Sequence, residues 1–255
     1  MKIGLALGGG GARGLAHIGV LKALEKNNIK IDIVSGTSMG AIIGAFYCAG
    51  IPIDYLERLA ISTDWKKLYS LLDPKLKDGL LGGEKLISFL KEELGDPDFK
   101  NLKKRFFATA TDSTTAEIKI FSSGKVVPAL RASSSLPIIF NPVKNKNNVL
   151  IDGCFSMPVP VAPLIKAGAD LIIAINLDAD YFSEKKGTTN LFNTINKSLL
   201  LLRHHLAAAN CANAQIIIKP KVGKYGWYDF FKAKEIIDAG ETETKKIIHK
   251  LKSGL

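Results

Sequence analysis

The first fifty residues alternate between apolar runs and glycine-bearing turns, and that alternation limits the fold more than any other feature of the chain. Ile3-Gly4-Leu5-Ala6-Leu7 is a short apolar run of the buried-strand kind and leads into Gly8-Gly9-Gly10-Gly11-Ala12-Arg13-Gly14. Apolar residues then recur at Leu15, Ile18, Leu21 and Leu24, the spacing of one helix face, over Leu15 to Asn27. Ile31-Asp32-Ile33-Val34-Ser35 is a second strand-like run. Gly36-Thr37-Ser38-Met39-Gly40 follows it, and then Ala41 to Ala49, a helix-length segment stopped by Gly50 with Pro52 beyond. The order strand, glycine loop, helix, strand, serine turn, helix implies a parallel sheet with both loops at the carboxyl ends of its strands, the edge at which open α/β sheets bind ligands.

Each loop has a chemistry it can serve. In the G-x-S-x-G run the serine sits on a sharp strand-to-helix turn, where flanking glycines remove side chains that would collide and the helix N-terminus favours a developing anion. Ser38 is therefore a candidate nucleophile, supported by Gly36 and Gly40. Gly9-x-Gly11-x-x-Gly14 satisfies the dinucleotide-binding spacing, but the same backbone N–H groups could face the oxyanion of an acyl-transfer intermediate. Dinucleotide binding wants an acidic residue at the end of the second strand. Asp32 lies at the start of that strand, and Ser35-Gly36 stands at its end.

Further along, Arg105 to Ala110 and Glu117 to Phe121 read as strands, and Pro128 to Ser133 as a helix ended by Ser134-Ser135-Leu136-Pro137. Asn145 to Asn148 is a turn, Val149-Leu150-Ile151 a short buried strand, and Asp152-Gly153 puts a carboxylate at a strand end, although Asp-Gly is also a common turn. Pro158 to Lys166 reads as a helix, Asp170 to Leu177 as the clearest strand, 178 to 188 as a polar loop, Leu191 to Ala212 as a long helix and Gln215 to Lys219 as a strand. An aromatic segment holding Tyr225, Trp227, Tyr228, Phe230 and Phe231 precedes two helical stretches divided at Gly240. From Pro52 to Glu93 broken helical pieces mix Trp65, Leu68 and Tyr69 with Lys66, Lys67, Lys75 and Lys77. We read them as an amphipathic cover for the sheet, with a lid touching a lipid interface as the alternative.

The chain of 255 residues is long enough for one well-buried α/β domain, and no linker divides residues 1–255. No apolar run reaches membrane-spanning length, and glycines and Arg13 interrupt the N-terminal apolar stretch, so no export signal is read. Cys48, Cys154 and Cys211 have neither disulfide-framework nor zinc-site spacing; a cytoplasmic protein is expected. The net charge of +11 is carried by dispersed lysines rather than a nucleic-acid module. Nucleic acid is not expected as a partner. The charge suits a soluble surface or peripheral contact with the anionic inner face of a membrane.

Taken together, the glycine loop Gly9 to Gly14, the Gly36-Thr37-Ser38-Met39-Gly40 turn and Asp152-Gly153 resemble the patatin-like phospholipase family, in the same order and context. Ala132 to Pro137, Phe140-x-Pro142 and Gly168-Ala169-Asp170 are similar to further blocks of that family, so the resemblance extends to about Pro220. It implies a three-layer α/β/α sandwich with a mostly parallel central sheet, and a serine hydrolase of lipid acyl esters such as phospholipids and lysophospholipids. Ser38 would be the nucleophile and Asp152 its base. The backbone of Gly9, Gly10 and Gly11 would form the oxyanion hole, with Arg13 holding or polarising that loop and Gly14 and Gly153 completing the motifs. Neither a cofactor nor a metal is implied. Cys154 stands where the family commonly has glycine or alanine, which places a thiol near the site. A serine usually takes a histidine as base. His17, His204, His205 and His249 all fall in helical segments rather than strand-end loops, which supports Asp152 independently. A histidine-dependent esterase and a nucleotide-binding regulator using the glycine loop remain as rival readings.

Overall fold

Ile3–Leu7 becomes the central strand β1 of a sheet in the computed structural model, which describes residues 1–63, 83–137, 139–145, 148–182 and 191–253. Strand β2 (Ile33–Thr37) pairs parallel to β1 on one side and β7 (Leu171–Ile175) on the other. β3 (Arg105–Asp112) lies parallel beyond β2, and β8 (Ile216–Ile218) parallel beyond β7. Because the chain leaves β1 towards β2 and returns to its other side as β7, the topology reverses at β1, and the glycine loop follows β1 directly.

Three antiparallel strands complete the sheet: β4 (Ile118–Phe121), β5 (Val143–Asn145) and β6 (Asn148–Asp152). β3 is longer than β2, and its last residues continue onto β6, with Thr37 opposite Thr109 and Asp152 opposite Ala110. β4 pairs with residues of β3 that overlap both sets, so it occupies the other edge, and β2 and β6 meet end to end along one edge of β3.

Strand alternation divides the core into two layers. Leu5, Leu7, Val34, Phe106, Ile173 and Ile175 point to one face, under α1 (Ala16–Lys26), α2 (Met39–Ala49), α3 (Ile53–Ser62), α4 (Glu84–Leu94) and α5 (Val126–Ser133). Ala6, Ile33, Phe107, Ile172 and Ala174 point to the other, under α6 (Ala162–Lys166) and α7 (Leu191–Asn210). The expected α/β/α sandwich is therefore present, its sheet parallel at the centre and antiparallel at one side.

Two segments differ from expectation. The helix read from Pro158 shortens to Ala162–Lys166, because the carbonyls before it serve the strand ends: Met157 O accepts from Thr37 Oγ1 at 2.8 Å, Pro158 O from Gly9 N at 2.9 Å, and Pro160 O from Ser35 Oγ at 2.5 Å. The two helices expected around Gly240 are one, α8 (Ala233–Ser253). It crosses α1 with the backbones in contact: a Cβ at Gly240 would lie 2.0 Å from Ala16 O, and one at Gly19 would lie 1.9 Å from Ile237 O. Residues 64–82, which carry the aromatic and lysine-rich part of the expected cover or lid, lie outside the described residues. Among the described residues no helix is long and apolar enough to cross a membrane.

Candidate active site

Ser38 is the residue between β2 and α2, and its backbone has φ 55° and ψ −124°, a conformation that side-chain-bearing residues rarely adopt. The turn is that tight because α2 starts against the end of β1. A Cβ at Gly40 would lie 2.2 Å from Leu7 O, and one at Gly36 would lie 2.4 Å from Gly40 O. Ser133 Oγ, at the end of α5, accepts the Ser38 N–H at 2.8 Å and so helps to hold the strained residue.

Ser38 Oγ donates to Asp152 Oδ2 at 2.6 Å. The sheet register produces this meeting. Thr37 and Asp152 face adjacent residues of β3 on the same edge, so the residue after Thr37 must approach the end of β6. Gly153 lets the chain turn beside Thr109, whose O would be 2.5 Å from an added Cβ. Asp152 Oδ1 accepts from Cys154 N at 2.8 Å, which leaves Oδ2 for the serine. Burial raises the Asp152 pKa above the ordinary carboxylate value, against the Ser38 hydroxyl and the Cys154 amide, which favour the charged form. The Cys154 thiol is buried beside the carboxylate and is pushed up well above its usual value by burial and by Asp152. None of the four histidines hydrogen-bonds Ser38 or Asp152 among the described residues.

The glycine loop lies against the same pair. A Cβ at Gly9 would meet Cys154 Sγ and come within 3.2 Å of Ser38 Cβ; one at Gly14 would meet Met39 of α2. Gly11 has φ +57° and passes under Trp227, whose O accepts from Ala12 N at 2.7 Å. The Gly9 N–H is committed to Pro158 O, whereas the Gly10 and Gly11 N–H groups have no hydrogen-bond partner among the described residues. That distinction is invisible in the sequence, where the three glycines look equivalent. His17, fully buried in α1, donates from Nε2 to Gly8 O at 2.6 Å, and burial lowers its pKa to about 4, so it fixes the loop as a neutral ring.

Arg13 points away from the Ser38–Asp152 pair into a buried ionic cluster. Its Nη2 lies 3.2 Å from Asp178 Oδ1, and its guanidinium sits 5.2 Å from the centre of the Tyr181 ring. Burial, and then Arg203, lower the Arg13 pKa from its ordinary value. Asp178 also receives Arg203 of α7, from Nε at 3.0 Å and from Nη2. Burial alone would raise the Asp178 carboxyl, but Arg203 and Arg13 outweigh it and hold it below its ordinary value. Asp178 had a legible signal, since it stands just beyond the end of the clearest strand as Asp152 stands at the end of β6. Arg203 had none, because nothing in a helix sequence marks the one arginine that folds over a strand end.

A cavity of about 240 Å³ opens onto Ser38, Asp152, Gly10 and Gly11. Most of its lining is apolar and includes Ile18, Ile42, Phe46, Leu56, Leu86 and Phe89, and Cys154 and Arg203 also line it. Trp227 and Phe230 also line it.

Comparison with known proteins bears on the family and the fold. The description "Patatin-like phospholipase" matches residues 5–165, more than half of the chain and a span that includes the serine turn, the glycine loop and Asp152. An uncharacterized NTE family protein of Mycobacterium tuberculosis is 35% identical over 178 residues, which cover 69% of this chain and 49% of that protein. The lysophospholipase nte1 of Emericella nidulans is 29% identical over 281 residues, covering 98% of this chain and 18% of the fungal protein. The chain thus spans about half the length of the first relative and a small part of the second. Among solved structures, VipD from Legionella pneumophila superposes with TM-score 0.64 at 13% identity over 98% of this chain and 66% of its own. The type III effector ExoU does so with TM-score 0.51 at 15% identity over 98% and 53%, and both likenesses concern the fold. On the matched span and the shared architecture, the chain belongs to the patatin-like phospholipase family.

Proposed function

We propose that the protein is a serine hydrolase of fatty-acyl esters, with phospholipids or lysophospholipids as its substrates. The observation that carries this reading is the 2.6 Å hydrogen bond from Ser38 Oγ to Asp152 in the wall of a mostly apolar cavity. In the proposed reaction the acyl chain lies among the apolar residues and Ser38 Oγ attacks the ester carbonyl while Asp152 accepts its proton. The Gly10 and Gly11 N–H groups receive the negative charge that develops on the carbonyl oxygen. Gly9 serves by its lack of a side chain. Asp152 then returns the proton to the departing alcohol, and water, activated by the same carboxylate, releases the fatty acid from Ser38.

A carboxylate is a weak base near neutral pH, and burial of Asp152 moves its proton affinity in the useful direction. The test is release of free fatty acid from lysophosphatidylcholine by the purified protein, with a single fluorophosphonate adduct on Ser38 by intact mass. A folded protein that neither hydrolyses the lipid nor takes the probe would refute the hydrolase reading and favour the nucleotide-binding rival.

The exposed aromatic segment that contributes Trp227 to the cavity also fits a lipid surface. Trp227, Tyr228 and Phe231 are 42%, 52% and 60% exposed, and Lys224, Lys232 and Lys234 flank them. Aromatic groups beside lysines are the composition that settles at an anionic interface. We expect vesicles rich in anionic lipid to sediment more of the protein than neutral vesicles at low salt, and Trp227→Ala with Phe231→Ala to remove most of the difference. Equal binding to both vesicle types would count against peripheral docking.

A further inference from the structure

The ionic cluster behind the glycine loop offers one group to the cavity. Asp178 holds Arg203 by two nitrogens of one edge, Nε and Nη2, so the guanidinium cannot swing. The side chain keeps 18% exposure and stands in the cavity wall with Ser38 and Asp152. Its remaining nitrogen, Nη1, has no hydrogen-bond partner among the described residues. Behind it Arg13, 2% exposed, shares the same carboxylate, and its Nε and Nη1 are buried without partners. Two arginines therefore share one carboxylate at the end of β7. A guanidinium held rigidly, with one edge free in a mostly apolar cavity, is a site for an anion.

From this arrangement we infer that Arg203 binds the phosphate of the substrate, so that the enzyme selects acyl esters that carry a phosphate over neutral ones. The inference rests on the hydrolase reading and specifies its substrate class. In a glycerophospholipid the phosphate is only a few bonds from the scissile ester, so a phosphate receptor must share the cavity with the nucleophile, as Arg203 does. Arg13 reinforces the site from behind: its shared hold on Asp178 leaves Arg203 less fully neutralised than in a simple pair. Arg203 also feels Asp152, which it favours in the charged form. A purely electrostatic effect on the dyad is thus the competing explanation, and it makes a different prediction.

The experiment compares wild type, Arg203→Met and Arg203→Lys on lysophosphatidylcholine and on the monoacylglycerol of the same chain length, with thermal melting to establish folding. The expected result is a loss of about 10- to 100-fold in kcat/KM on the phosphate-bearing lipid for Arg203→Met, the range of a charge-assisted hydrogen bond. The neutral ester should lose at least about tenfold less, and Arg203→Lys should fall between. Equal losses on both lipids, with the acid limb of the pH profile moved to higher pH, would mean that Arg203 acts through Asp152 and would overturn the proposal. No loss on either would do the same.

A binding arm stands apart from turnover. By calorimetry sn-glycerol 3-phosphate should bind wild type and not Arg203→Met, whether or not the protein hydrolyses lipid, while inorganic phosphate alone should bind more weakly. Tighter binding of inorganic phosphate than of glycerol phosphate would assign the site to free phosphate instead. Absent turnover with retained glycerol phosphate binding would sink the hydrolase reading alone, and absent binding of either anion to folded wild type would sink the phosphate site alone. If Arg203→Met fails to fold, Arg203→Lys carries both arms.

Discussion

Ser38→Ala is expected to lower ester turnover by at least about a thousandfold and to abolish fluorophosphonate labelling, while the protein melts within a few degrees of wild type. The loss follows from the geometry: Oγ is the atom that bonds the Asp152 carboxylate, and no other hydroxyl donates to that carboxylate among the described residues, Thr111 Oγ1 reaching the Asp152 backbone carbonyl instead. The fold should survive because alanine meets the same backbone strain at φ 55° as serine does, and the Ser38 N–H keeps its bond to Ser133. Asp152→Asn should cost a similar factor, and the double variant little more than either single one, because the pair acts as a unit.

The acid limb of kcat/KM should lie above the ordinary carboxylate range. In the proposed reaction Asp152 is a base only when ionised, burial raises its pKa, and turnover should therefore fall as pH drops through that raised value. Stability responds in the opposite direction. A carboxyl that holds its proton more tightly when folded loses native-state stability as pH rises from its unfolded to its folded value. Asp152→Asn should thus raise the melting temperature at neutral pH, and the gain should vanish in acid. Wild-type turnover in either single variant would remove the dyad from the mechanism. Turnover that survived both but failed on replacing His204 would transfer the reaction to the histidine-dependent rival.

How much of this was legible depends on whether the determining contact is local. The serine turn and the glycine loop could be placed because strand, turn and helix are adjacent in sequence, and hydrophobic periodicity reports each of them directly. Asp152 could be nominated as a strand-end carboxylate but not paired with Ser38 by spacing, since their meeting depends on β2 and β6 sharing one edge of β3. The division of labour among Gly9, Gly10 and Gly11 depends on a carbonyl at Pro158, and the placement of Arg203 on a helix crossing; both are set by chain segments far away. β5 is three residues long and, among the described residues, pairs with β6 alone, too little pattern to mark a strand ahead of the turn expected from Asn145 to Asn148.

Gly240 shows the same limit with a measurable consequence. A glycine inside a helical pattern reads as a break, and if it merely weakened a helix, Gly240→Ala would stabilise the protein by about 1 kcal/mol. The structure gives the residue another reason to be glycine. α8 runs unbroken through it, and the helix backbones of α1 and α8 touch there, with Ala16 O 2.0 Å from the position a Cβ would take. Gly19, one turn along α1, meets Ile237 O in the same way, so each helix supplies one side-chain-free contact to the other. Neither obstacle is a flexible side chain that can swing aside. A methyl at Gly240 must push two helices apart, and the buried Leu21, Leu24, Ile236 and Ile237 around the crossing would lose contact with one another. We therefore expect Gly240→Ala to destabilise the protein by about 1–3 kcal/mol, the usual cost of overpacking, and Gly240→Val by more. Denaturant unfolding decides the sign. A stabilised Gly240→Ala would mean that the helices are not in backbone contact and that the glycine is a helix break after all. The crossing also bears on the proposed catalysis, because α1 carries His17, whose bond to Gly8 O anchors the loop that holds Gly10 and Gly11. A displaced α1 should lower turnover in Gly240→Ala at temperatures where the protein is still folded, a loss that simple destabilisation would not produce.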